Sequence, residues 1–364
     1  MGTESIRNYS AARRQRGATL IELMIALLLG LVVVAAASGL FLTNKRVYAS
    51  TETVNRIQEN SRAAFEIMSR DIREAGGNPC GVNSQIVSQL TNGGEPWWGN
   101  YANGIQGYDG GTAIPGTARL AGTDAIDLHV AGGGDITVIE HDEPDANLSV
   151  THTTGISKDD ILMVCNTEIA MIFIVTQLTS SGGSSAAIQH NGGNTGFDAK
   201  NCGQEFQHQG CASGASSPYG YCFRVADPTN INPHCDRYSQ NPAHVASVQT
   251  FRWYVAENGR GGSSLYRARL VNRTSSMEPD VVDTIEVAEG ISDLQLEYRN
   301  AGDPTWRNAT PGMDWSLVNA VKVELVAEGT EGALGGGYLQ GTDGNVLDRT
   351  TSHVVAIRNR EGVL

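Results

Sequence analysis

Gly17, Ala18 and Glu22 have the types and spacing for a cut followed by a charge pairing. Gly17 follows the basic residues Arg13, Arg14 and Arg16 and precedes a long apolar run. An ordinary secretory signal carries its small-residue cleavage site behind a short apolar segment. Here the small residue lies in front, so a cut after Gly17 leaves the apolar segment on the mature protein and frees an amine on Ala18. Glu22 is the only charge in the apolar pattern that begins at Ala18. A carboxylate costs about 2.5–3.5 kcal/mol at the centre of a membrane span and less near its end, so Glu22 asks for a partner. The new amine supplies one.

The remaining residues with chemical potential point to structure. All six cysteines, Cys80, Cys165, Cys202, Cys211, Cys222 and Cys235, lie after the apolar run, and four fall between 202 and 235. An even count in an oxidising compartment gives up to three disulfides, with fifteen connectivities. The pairing put forward is Cys202 with Cys211 and Cys222 with Cys235, leaving Cys80 with Cys165. No CxxC pair and no histidine at metal spacing accompanies them, so no zinc site is expected. His141, Asp142, Glu143, Asp145 and Asn147 in HDEPDAN, and Asp343 with Asn345 in GTDGN, cluster oxygen ligands. Neither follows an EF-hand loop, and turns use the same residues. GCASGAS at 210–216 is not a GxSxG elbow, and no GK[ST] phosphate loop occurs. Asn147, Asn272 and Asn308 open glycosylation sequons, a pattern too short to carry weight. No cofactor, metal or enzymatic activity is expected.

The elements that position these residues begin with residues 23–42, twenty without a formal charge. At about 1.5 Å per residue they span roughly 30 Å, the thickness of a bilayer's hydrocarbon core. The pattern then turns polar without breaking. Val54, Ile57, Ala64, Met68, Ile72 and Ala75 recur at steps of three and four, flanked by Phe65 and Ile67, which predicts one helix over 18–75. Its charged residues, Asp71 among them, read as solvated faces and i, i+4 pairs. Gly76, Gly77 and Pro79 stop it. Residues 80–122 read as irregular, with Trp97, Trp98, Tyr101 and Tyr108 packed under the loop. TDAIDLHVA, DITVIEH, DDILMVC and EIAMIFIVTQL read as strands. So do VQTFRWYVA, SSLYRARLV, DTIEVAEGISDLQLEYR, LVNAVKVELVAE and SHVVAIRNR. The Gly/Ser-rich stretch from 179 reads as a long surface insertion, Cys-rich to about 245. Strands without alternating helices give an α+β fold: a long N-terminal helix, half transmembrane and half amphipathic, packed on an antiparallel sheet with loop insertions.

Charge sets the sidedness. The chain has 26 basic and 39 acidic residues. Removing residues 1–17, with four arginines and one glutamate, leaves 22 and 38, a formal charge of −16. An acidic head disfavours nucleic acid as a partner. The basic leader follows the positive-inside rule and directs residues 76–364 out of the cytoplasm.

GATLIEL at 17–23, with basic residues before it and about twenty apolar ones after, resembles the class III signal of type IV pilins and pseudopilins. The resemblance implies a cleaved leader at 1–17, a prepilin peptidase cutting between Gly17 and Ala18, N-methylation of Ala18, and pairing of Glu22 with a neighbouring subunit's N-terminus. GTDAIDLHVA, DDILMVC followed by IFIVT, GGSSLYR, VAEGISDLQLEY, NAVKVELVA and DRTTSHVVAIRNR are similar in order to the PilW branch of minor pilins, relatives of pseudopilin J of type II secretion. That likeness implies a span at about 20–42 in the inner membrane, a head in the periplasm and, after assembly, at the pilus tip. It implies as partners other minor pilins, the major pilin, the inner-membrane assembly platform and a tip adhesin, and as processes pilus priming and twitching motility.

Overall fold

The computed structural model describes residues 17–81, 85–91, 97–99, 101, 104–114, 116–141, 146–180, 186–192, 200–208, 210–211, 220–225, 235–239, 241–270, 282–329 and 344–360. Helix α1 runs Leu20–Glu74. It starts two residues after Ala18 because Thr19 caps it, and Gly76, at φ +66°, takes the left-handed conformation that ends it. Contacts divide the chain inside this helix, into Met1–Thr53 and Val54–Leu364. The second half of the helix contributes to the globular core.

In the first unit the large apolar side chains of α1 are exposed, Leu31 at 72%. Among the described residues this is the one helix long and apolar enough to cross a membrane.

In the second unit the strands are β1 (Gln85–Ser88), β2 (Leu90–Thr91), β3 (Ile105–Tyr108), β4 (Ala125–His141), β5 (Asn147–Val150), β6 (Ile161–Cys165), β7 (Ile169–Ile174), β8 (Gln177–Ser180), β9 (Ala186–Gln189), β10 (Lys200–Asn201), β11 (Gly220–Val225), β12 (Cys235–Ser239), β13 (His244–Glu257), β14 (Ser263–Leu270), β15 (Val282–Glu289), β16 (Ile291–Asn300), β17 (Val318–Glu328) and β18 (Asp348–Ala356). The long strands β4 and β13 pair antiparallel and form the spine of an eleven-stranded sheet. β3 and the pair β14–β15 flank one end of that spine. β6–β7–β1 and β5–β9–β8 flank the other. A separate antiparallel sheet runs β16–β17–β18. Pairing is antiparallel except for β1 with β7 and β11 with β12. The α+β class and the mostly antiparallel sheet thus hold.

The amphipathic stripe is buried. Ile57, Ala64, Met68 and Ile72 share one core cluster with Ile126 and Leu128 of β4, Trp253 and Val255 of β13, Leu294 and Leu296 of β16, and Val321 and Val323 of β17. Burying each large apolar side chain contributes about 1.5–3 kcal/mol, so this cluster fixes the helix against both sheets.

Four expectations need correction. TDAIDLHVA and DITVIEH are one strand, β4, because the ladder with β13 runs on across a bulge at Gly134–Asp135, with Ala246 paired to Gly133 and Val245 to Ile136. DTIEVAEGISDLQLEYR is two strands in different sheets, parted at Gly290, which has φ +80°. Part of the expected insertion is core: Phe206, Tyr221 and Phe223 are buried with Phe173 and Ile188. Residues 80–122 hold β1, β2 and β3, with Trp98 and Tyr101 buried beneath.

The disulfides join Cys80–Cys165, Cys202–Cys211 and Cys222–Cys235, with Cα–Cα distances of 5.8, 5.5 and 5.7 Å. The two short loops tie the aromatic core of the Cys-rich region, and Cys80–Cys165 ties the segment after the helix to β6. Non-reducing peptide mapping is expected to recover these three cross-links. Free thiols in the purified protein would contradict them.

Candidate processing and assembly site

The first helical turn carries a reciprocal hydrogen-bond pattern. Thr19 is the N-cap: its carbonyl accepts from Leu23 N–H at 3.2 Å. Its hydroxyl accepts from the Glu22 N–H at 3.3 Å. The Glu22 carboxylate reaches back and its Oε2 accepts from the Thr19 N–H at 3.0 Å and the Thr19 hydroxyl at 3.2 Å. This is a capping box, in which two otherwise unsatisfied helix donors are met by side chains three residues apart. Glu22 is therefore a helix-start residue as well as the lone charge of the apolar pattern. Thr19 was not singled out in the sequence, although T-x-x-E ahead of an apolar run is its signal. Gly17, Ala18 and Glu22 are all exposed here. Among the described residues, chain neighbours aside, no atom lies within 4 Å of where a Gly17 Cβ would be.

Elsewhere the candidate residues are structural. Asp71 is buried rather than solvated. Its Oδ2 accepts from Arg267 Nε at 2.7 Å and Trp253 Nε1 at 3.0 Å, and its Oδ1 accepts from Arg267 Nη2 at 3.0 Å. Burial pushes its carboxyl up, opposed by Arg267. The ion pair joins α1 to β14. On the spine, Asp127 and Arg252 face each other in register and pair through two 2.7 Å hydrogen bonds.

His141 of the HDEPDAN cluster is wholly buried against His190, with the two Nε2 atoms 3.2 Å apart. The spacing alone would suit two ligands of a tetrahedral metal. The backbone N–H of Phe223, however, donates to His141 Nδ1 at 3.0 Å. The neutral ring must then carry its proton on Nε2 and donate it to His190, which leaves no metal-facing lone pair between them. His190 stacks on Phe206 at 3.8 Å. Among the described residues no group of three or more metal-binding side chains forms. Asp142, Glu143, Asp145, Asn272, Asp343 and residues 212–216 lie outside the described residues.

The histidine pair has a pH consequence. Burial, with Arg224 adding to it, lowers His141 to about 3, and burial with His141 nearby lowers His190 well below the usual imidazole range. Below about pH 6.5 the unfolded chain takes up protons that the folded pair refuses. Stability from this pair is therefore full above pH 6.5 and falls as pH drops, by up to about 1.4 kcal/mol per unit per histidine. Asp124 acts in the opposite sense: burial raises it to about 6, so the folded state holds that proton first. Direct observation separates the two. Imidazole NMR signals of His141 and His190 are expected to stay flat from pH 8 to 5, and titration of either near 6.5 would refute the buried neutral pair.

Comparison with protein families matches residues 12–38 to the prokaryotic N-terminal methylation motif. The matched span contains Gly17, Ala18, Thr19 and Glu22 and continues into the apolar helix. No curated protein matches the chain.

Proposed function

We propose that this chain is a minor pilin of a type IV pilus, made as a prepilin and acting by assembly rather than catalysis. One observation carries the proposal: the methylation motif lies on the capped start of a helix whose following side chains are apolar and exposed. In this scheme the basic leader stays cytoplasmic, the apolar helix holds the protein in the inner membrane, and the disulfide-bonded head occupies the periplasm. Prepilin peptidase cuts after Gly17 and methylates Ala18. Glu22 then pairs with the N-terminus of a neighbouring subunit, and the helix passes into the filament core. Its partners are other minor pilins, the major pilin, the assembly platform and an adhesin presented at the tip; the acidic head gives nucleic acid no purchase. No cofactor enters.

The minor-pilin role rests on the PilW-like wording of the strands and on insertions that make the chain long for pseudopilin J of a type II secretion system. Deletion of the gene is expected to abolish surface pili and twitching while leaving secretion of folded exoproteins intact. The reverse phenotype would assign the chain to secretion. Intact-mass analysis is expected to show residues 1–17 missing from the mature protein. Gly17 suits the cut because it puts no side chain in the way of close backbone approach. A mature form starting at Met1, or one cut after Leu42, would remove the pilin reading.

A further inference from the structure

The two hydrogen bonds that reach the Glu22 carboxylate end on the same atom, Oε2. Among the described residues Oε1 takes no hydrogen bond. A carboxylate rotating freely at a membrane surface has to lose that freedom when it meets a partner. This one is already fixed by its own chain, with one oxygen tied down and the other open. We propose that Thr19 is the positioning residue for assembly: it pins Oε2 of Glu22 in the capping box and thereby presents Oε1 to the N-terminal amine of the neighbouring subunit. The inference rests on the assembly reading of Glu22 given above.

The two roles of the carboxylate respond differently to substitution. Capping requires an acceptor oxygen and accepts Glu or Gln, whereas pairing with an amine draws on the charge. Glu22→Gln therefore keeps the cap and removes the charge. Thr19→Val keeps the charge and removes both bonds made by the hydroxyl at nearly constant shape. Thr19→Ser keeps everything.

The test uses the full-length chain expressed at native level, scoring co-purification with neighbouring subunits per molecule of mature, cleaved protein. Thr19→Val is expected to lower incorporation roughly ten-fold, the scale of losing one helix N-cap, and Thr19→Ser to restore it. Glu22→Gln is expected to abolish incorporation, and Thr19→Val added to it to cause no further loss. Where valine interferes with cleavage, Thr19→Ala removes the same hydroxyl. Normal incorporation of the cleaved Thr19 variants would overturn the positioning role, and so would a defect that serine does not rescue. Normal incorporation of Glu22→Gln would instead overturn the assembly reading itself.

Discussion

Glu22→Ala is expected to yield protein that is made, inserted and cleaved, yet fails to co-purify with other pilins and leaves cells with few surface pili. Two physical accounts of this carboxylate predict opposite results. If Glu22 only marks the end of a membrane span, alanine removes a desolvation cost, and insertion and function stay the same or improve. If Glu22 meets a subunit amine inside an apolar filament core, alanine leaves that amine buried without a partner. Breaking such a pair costs about 3–5 kcal/mol, a hundred-fold or more in association. Alanine also ends the bond from the Thr19 N–H to Oε2, so the first helical turn loses its reciprocal cap. A frayed turn alone leaves a residual fraction assembled. Counting pili and measuring co-purified subunits at native expression decides the matter, and wild-type values for both would defeat the assembly role.

Much of the architecture is written locally and much of the site chemistry is not. The basic residues before Gly17, the twenty uncharged residues and the stripe from Ile57 to Ile72 each depend only on near neighbours, and so the helix is legible. Its start at Leu20 is equally legible, because Thr19 and Glu22 stand at the capping-box spacing ahead of the apolar run. β-Branched runs marked the strands, but no local pattern says which sheet a strand joins. β15 and β16 follow one another across a single glycine and enter different sheets. The Gly/Ser composition around 179–245 concealed three aromatic anchors, since Phe206, Tyr221 and Phe223 are few among many polar residues. Asp71 looked like any helix charge because the guanidinium that holds it lies 196 residues away. Buried charge is a long-range property, and a sequence read by windows cannot supply the partner.

Asp127→Ala is expected to produce the largest loss of stability in the head. Asp127 and Arg252 sit directly opposite on the spine pair β4–β13, each side chain 1% exposed. Arg252 also donates to the Thr117 hydroxyl at 2.9 Å and lies over the Trp97 ring at 4.5 Å. Tyr108 donates to Asp127 Oδ2 at 2.9 Å. Alanine takes the Asp127 carboxylate away from a buried guanidinium, and breaking a buried ion pair from one side costs about 3–5 kcal/mol. Against a total of about 5–15 kcal/mol that is a large fraction, and it lowers the melting temperature on the order of 10 °C. The pair also opposes slippage, because a one-residue shift of β13 would bring Asp127 opposite an apolar neighbour, Phe251 or Trp253. Replacing both partners by apolar residues, Asp127→Leu with Arg252→Met, removes the stranded charge and is expected to recover most of the stability. Thermal melts of the two single variants and the double variant form the check. Singles that melt within 2 °C (roughly one kcal/mol or less) of the unmodified protein would show that the ion pair contributes little to the spine.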